Sequence, residues 1–274
     1  MLICPCRLTE IVKWRFRCRL TWFFNMDEKH SAPRVVLGQF LGRLKKDPVG
    51  AARRGMYHAF VGRFKYGRGA DYDAGQFWQD RFERCGFSFE SVTDEGYSEA
   101  ENSEREQAAR DKFLECCSIE GVDFSSSSAL EIGCGTGFYT RTLEDAGVKE
   151  YTGVDITDVL FSGLQERHPR FHFVKQDAAT EKMLGSYDLI VMIDVVQHVV
   201  SDKKLKFTMD NIKGCLAENG VFIIAPLRNV TRKTPLFYFL KLWSLDDVVQ
   251  HFSDCKVSEP IVFRDGEAMV AIRR

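Results

Sequence analysis

Glu131, Gly133, Gly135 and Gly137 fall at alternate positions in "LEIGCGTGFYT", residues 130–140. Glycines at that spacing permit a tight turn and let a ligand lie directly on bare peptide. A plain tight turn would use them too, so the neighbouring residues carry the argument. The spacing is G-x-G-x-G. The dinucleotide fingerprint places its third glycine one residue later, where this chain has Phe138. A carboxylate at Glu131, just ahead of the loop, suits a ligand with an ammonium or sulfonium group better than a pyrophosphate. Asp155 lies 18 residues after Gly137, where an acid can accept both hydroxyls of a ribose.

Further polar residues stand at the ends of later apolar runs. Asp177, in "VKQDAA", either meets a ligand or opens a turn. Asp194 ends "YDLIVMID", with Gln197 and His198 close behind in "VVQHVV". An imidazole titrates near neutrality and can take a proton from a hydroxyl. His198 is therefore a candidate base. It would equally serve by packing at a helix start or by bonding to Asp194. Arg228 and Asn229 follow the fifth strand, either lining an acceptor or as ordinary loop residues.

These residues need strands and helices to hold them. From Ser127 the pattern alternates: "SALEIG" strand, "TGFYTRTLEDAG" helix, "EYTGVD" strand, "TDVLFSGLQERHP" helix with Thr157 as N-cap. "FHFVKQD", "YDLIVMID" and "GVFIIAP" are further strands, the middle one apolar throughout, as in a parallel sheet buried on both faces. "SDKKLKFTMDNIKGCL" is a helix between the last two, and Ser244 caps "LDDVVQHF". "KVSEPIVF" and "EAMVAIRR" meet at Asp265-Gly266, a hairpin signal. The expected fold is α/β, a doubly wound, Rossmann-like, mostly parallel sheet of seven strands with an antiparallel C-terminal hairpin. Ahead of it, "GQFWQDRFERCGFSF" and "SEAENSEREQAARDKFLECC" read as helices, the second with a Ser98/Glu101 capping box.

Composition is that of an ordinary globular chain, 45% apolar and 28% charged. Residues 1–70 carry 15 Lys+Arg against 4 Asp+Glu, so the remaining residues carry −12 of the total −1. Such a basic head could meet phosphates, an anionic membrane or the acidic body. In residues 1–25, arginines interrupt the aromatic run "KWRFRCRLTWFF", which argues against a signal peptide. That stretch either touches lipid heads or contributes little to the fold. Nine cysteines without a CxxC pair argue against a disulfide framework or a metal site. Reduced thiols and a cytoplasmic setting, with peripheral membrane contact left open, are the expectation.

Together, "ALEIGCGTGFYT", "YTGVDIT", "FVKQDA", "YDLIVMIDVVQHV" and "LAENGVFII" resemble class I S-adenosylmethionine-dependent methyltransferases. The likeness spans residues 98–274 and implies a domain over 121–274, a helical lid over 71–120 and a basic extension over 1–70. It implies that Glu131, Gly133, Cys134, Gly135 and Gly137 hold the methionine portion of S-adenosylmethionine. It further places Asp155 with Ile156 at the ribose, Asp177 and Ala178 by the adenine, and Asp194 toward the methyl group. The product cofactor would be S-adenosylhomocysteine. The stretch 71–103 is similar, more loosely, to lids of bacterial members acting on small molecules or saccharides. Tyr72, Phe77, Trp78 and Tyr97 are its aromatic candidates, although Phe77 and Trp78 also suit simple core packing.

Several subclasses are excluded. The N-P-P-aromatic tetrad of amino-methylating nucleic-acid enzymes is replaced by "DVVQ" after the fourth strand. No Pro-Cys pair stands there for cytosine C5 chemistry, and the twin-glutamate loop of protein arginine methyltransferases is absent. The leading expectation is methyl transfer to a small-molecule hydroxyl or amine, such as one on a saccharide or lipid-linked glycan. A nucleic-acid or protein acceptor recruited by the basic head, or a non-catalytic cofactor-binding subunit, is the alternative.

Overall fold

The computed structural model describes residues 48–92, 98–228, 237–264 and 266–274. Residues 1–25, expected to touch lipid heads or to contribute little to the fold, lie outside them, as do Tyr97, Asn229 and Asp265. Eight strands form one sheet: β1 (Ser128–Ile132), β2 (Glu150–Asp155), β3 (His172–Lys175), β4 (Tyr187–Ile193), β5 (Leu216–Leu227), β6 (Lys256–Val257), β7 (Ile261–Val262) and β8 (Ala268–Arg273). Their order is β3-β2-β1-β4-β5-β8-β6, with β7 also paired to β8. The pairs from β3 to β5 are parallel and those of β8 antiparallel. The expected sixth strand is split in two. Pro260 falls between β6 and β7, and proline has no N–H to give to the ladder.

Alternate residues of the central strands enter different cores, as a period of two requires. Leu130, Ile190, Met192, Phe222, Ile224 and Val270 pack on one face. Ala129, Leu189, Val191, Val221, Ile223 and Met269 pack on the other. This two-sided burial explains why β4 and β5 read as unbroken apolar runs.

The helices are α1 (Pro48–Met56), α2 (Ala74–Cys85), α3 (Glu99–Ile119), α4 (Phe138–Asp145), α5 (Phe161–Arg167), α6 (Asp202–Cys215) and α7 (Leu245–Val249). α1 runs on through a π-helical stretch, Tyr57–Gly62, and a last turn at Arg63–Lys65. The capping boxes at Ser98/Glu101 and Ser244/Asp247 both form. Thr157 does not cap α5. That helix starts later, at Phe161, after a turn in which the Phe161 N–H donates to the Asp158 carbonyl at 3.0 Å. Thr157 instead donates its own N–H to Asp155 Oδ1 at 3.2 Å, so it serves the end of β2.

α3 is a layer of the sheet domain. Its Ala109, Phe113, Cys116 and Cys117 pack with β-strand residues in one core. What lies over the carboxyl ends of the strands is α2. Phe82 joins Cys134 and Leu164 in one small cluster, and Phe77 joins Tyr66, Tyr72, Val200 and Tyr238 in another.

Candidate active site

The glycine loop joins β1 to α4. Gly133, Gly135 and Gly137 all have positive φ, at 74°, 49° and 85°, a region that costs other residues strain. At Gly133 a β-carbon would collide with Val195, and at Gly137 it would meet Leu164 Cδ2 at 2.5 Å. Those two glycines are needed for packing. At Gly135 the nearest atom, Val92 Cγ1, is 3.3 Å away, and the position opens on a cavity of about 600 Å³.

Three expected acids line this cavity on the β1–β3 side. Glu131 is buried, and its Oε2 accepts from Thr140 Oγ1 at 2.9 Å and Tyr151 Oη at 2.5 Å. Burial pushes its carboxyl up to about 8 despite those donors. Asp155 Oδ2 accepts from the Gly135 N–H at 3.0 Å, which ties the end of β2 to the loop. Burial raises its carboxyl to about 6. Asp177 uses its carboxylate to close its own turn, accepting from the Ala179 N–H at 2.9 Å and Thr180 Oγ1 at 2.7 Å. Ala178 is buried beside it, and its carbonyl accepts from Asn211 Nδ2 at 3.0 Å. Cys134 and Ile156 also border the cavity.

The β4–β8 side is built from ion pairs and aromatic rings. Asp194 holds a left-handed backbone, φ 61°, unusual for a residue with a side chain. Its carboxylate accepts from Arg264 Nη2, and Glu267 accepts from Arg228 Nη2 in a second close pair. His198 does not bond Asp194. Its Nδ1 lies 2.9 Å from the Phe239 carbonyl, which accepts a proton from that nitrogen and leaves Nε2 as the lone-pair atom. Burial pulls the imidazole down to about 4. Trp78 stands edge-on to His198, ring centroids 4.9 Å apart. Phe77 stacks on Phe239 at 5.2 Å, inside the aromatic cluster. Tyr72 is 2% exposed, buried in the same cluster.

Among the described residues, the buried side-chain polar atoms without a partner are Tyr72 Oη, Tyr139 Oη, Gln197 Oε1, Arg228 Nε and Arg264 Nε. All five residues border this one cavity. An unpaired buried polar atom costs about 1–3 kcal/mol, so each is a place where a ligand or a small side-chain shift could supply a partner. No group of metal-ligating side chains occurs among the described residues.

Residues 130–222 match the family model described as a methyltransferase domain. Over that third of the chain the sequence is similar to a methyltransferase domain. Solved methyltransferases share its fold at low identity. Magnesium protoporphyrin IX methyltransferase from Synechocystis PCC 6803, with bound SAM, aligns over 75% of this chain and 99% of its own, at 17% identity and TM-score 0.57. N-methyltransferase NodS from Bradyrhizobium japonicum WM9, with S-adenosylhomocysteine, aligns over 74% and 99%, at 17% identity and TM-score 0.53. The amino pentose methyltransferase CalS10 from Micromonospora echinaspora, bound to SAM, covers 65% and 97%, at 12% identity and TM-score 0.52. No curated protein matches the chain significantly.

The cavity is also lined by groups that the sequence did not single out. Arg264 and Glu267 come from the β7–β8 turn, Glu106 from α3, and Phe237 and Phe239 from the segment before α7. Glu106 is pushed up to about 7, by burial and then by the Asp194 charge. The Asp265-Gly266 hairpin signal flanked Arg264 but said nothing of where it would point. The cofactor fit is chemical. Gly135 leaves a bare peptide wall, Asp155 offers lone pairs to hydroxyls, and Glu131 offers a carboxyl that a nearby cation would return to its ionised form.

Proposed function

We propose that the protein transfers a methyl group to a hydroxyl or amine of a small-molecule acceptor seated on the β4–β8 half of the cavity. Five unpaired buried polar atoms, all on residues that border the cavity, carry this proposal. They include two donors (the Arg228 and Arg264 Nε–H groups), two hydroxyls and one amide oxygen. The paired Asp194 and Glu267 offset the two arginine charges, and the unpaired atoms suit an acceptor rich in oxygen or nitrogen. Trp78, Phe237 and Phe239 supply flat apolar faces beside it. A saccharide, free or lipid-linked, combines those properties. Two of the structural neighbours are a magnesium protoporphyrin IX methyltransferase and an amino pentose methyltransferase, in keeping with this class.

The roles on the other half follow the same proposal. Gly133, Cys134, Gly135 and Gly137 form the backbone bed and Glu131 faces the methionine portion. Asp155 with Ile156 receives the ribose, and Asp177 with Ala178 bounds the adenine. The cofactor supplies a methyl group already activated on sulfonium. The chain must hold a nucleophile in line and exclude water, and such positioning is worth up to roughly 7–11 kcal/mol in the best cases. Burial by Trp78 and the Phe77 cluster keeps the acceptor end dry. For a hydroxyl acceptor, a base receives the proton as the new bond to carbon forms. His198, neutral with Nε2 as its acceptor, can do so but is weak. Glu106 titrates nearer to neutrality and is the better match. Asp194 and Arg264 fix the local charge around both.

The test is an acceptor screen that follows S-adenosylhomocysteine formation across hydroxylated and amino small molecules. Turnover on such an acceptor, with kcat/KM lowered by Gln197→Leu at unchanged cofactor affinity, supports the proposal. Turnover only on a protein or nucleic-acid acceptor overturns it.

A further inference from the structure

α1 and its continuation to Lys65 present two opposite faces. The inner face packs on the protein. Gly62 and Tyr66 are buried, and His58 Nδ1 lies 3.3 Å from Tyr238 Oη. His58, Gly62 and Tyr66 are four residues apart, so they share one side of the helix. On the other side Val49, Met56, Phe60 and Phe64 stand 78%, 59%, 68% and 78% exposed. Arg53 and Arg63 are exposed alongside them, with the Arg63 guanidinium 5.2 Å from the Phe64 ring centroid. Residues 48–70 hold five Lys+Arg and no Asp or Glu. No helix among the described residues is long and apolar enough to cross a membrane.

We propose that this helix lies on an anionic lipid bilayer, with Phe60 and Phe64 inserted at the headgroup–acyl boundary and its arginines on lipid phosphates. An exposed aromatic and aliphatic stripe bordered only by positive charge is the pattern of an interfacial helix, and an anionic leaflet complements that charge. The preceding residues 1–47 do not complement it, since they carry ten Lys+Arg against four Asp+Glu. His58, on the inner face, borders the acceptor half of the cavity beside Phe237 and Phe239. Docking thus sets the acceptor end next to the lipid, where an amphiphilic acceptor would be concentrated. The docking itself is independent of the methyl-transfer proposal.

The test is flotation of the full chain with phosphatidylcholine vesicles, with and without phosphatidylglycerol, and S-adenosylhomocysteine titrations on the same samples. The wild type is expected to float with the anionic vesicles and less so at high salt. Phe60→Ser with Phe64→Ser should lower partitioning about a hundredfold, roughly tenfold per buried ring. Arg53→Glu with Arg63→Glu should remove the preference for anionic lipid. Cofactor affinity and Tm should hold in both, since these side chains stand outside the cavity and the core. Three results would overturn the proposal: a wild type that does not float, a serine variant that floats undiminished, or a lipid-free oligomer that the serine variant turns into a monomer. The last would mean that a second copy covers this face.

Discussion

On the β1–β3 side of the cavity, polar groups are held by partners close in the chain. Asp155 is bonded by Thr157 and Gly135, two and 20 residues away, and Glu131 by Thr140 and Tyr151, nine and 20 away. On the β4–β8 side the ties are long. Arg228 meets Glu267 across 39 residues and Arg264 meets Asp194 across 70. Orphaned polar atoms gather on this second wall, with Tyr139 and Tyr72 at its borders. A wall built by one turn can be specified by a short motif and suits an invariant ligand. A wall assembled from separate segments can be altered piece by piece, as an acceptor site that differs between relatives would require.

The sharpest way to break this division is Gly135→Val. Its strained φ and the isopropyl group entering the cavity should cost cofactor binding about 3 kcal/mol or more. Tm should fall far less than for Gly137→Val, which collides with Leu164. Calorimetric titration with S-adenosylhomocysteine, beside thermal melts, checks both. If Gly135→Val binds normally, the loop is not the seat.

Glu106→Gln probes the other wall. If Glu106 takes the proton, turnover rises with pH through about 7 as its carboxyl ionises. The glutamine variant should lose that limb and about a hundredfold in kcat at pH 8, with cofactor affinity within about twofold. A limb that survives in Glu106→Gln and vanishes in His198→Ala would give the role to His198.

Asp155→Ala should weaken cofactor binding by about 1–3 kcal/mol through lost charge-assisted hydrogen bonds. The pH dependence has a fixed sign. Asp155 must be ionised to accept hydroxyl protons, and in the unliganded protein it titrates at about 6. The Asp155 contribution should therefore be complete above about 6 and fall by up to about tenfold per pH unit below it, beneath a further rise toward about 8 as Glu131 ionises. The alanine variant should lose the limb near 6 and keep the one near 8.

The smallest expected effect is that of Tyr72→Phe. Removing a hydroxyl that has no partner should leave stability unchanged or raise it by about 1 kcal/mol. KM for the acceptor should rise several-fold and cofactor affinity should stay fixed. A loss of cofactor affinity instead would erase the division between the two walls.

This difference also explains what was legible in the sequence. The strand–helix alternation, the glycine bend and the capping boxes depend on neighbours within a few residues, and periodicity reveals them, while Asp155 was legible from its spacing after the loop. Thr157 was misassigned because Ser/Thr before an apolar run signals a cap, whereas the Asp155 carboxylate claimed its N–H and an extra turn intervened. The split sixth strand was written in Pro260 but outweighed by the apolar residues around it. Arg264, Glu267 and Glu106 gave no local signal, because their meaning arises only when the β7–β8 turn and α3 reach the end of β4. Asp194 was legible as a position, but not its left-handed backbone or its partner.

A crystal structure with S-adenosylhomocysteine tests the central claim most directly. The ribose hydroxyls should lie within hydrogen-bond distance of the Asp155 carboxylate, with the adenosyl group along the glycine loop. The sulfur should face the wall carrying Asp194, Arg264 and Glu106. An adenosyl group lodged among Trp78, Phe237 and Phe239, with the glycine loop bare, would contradict the account.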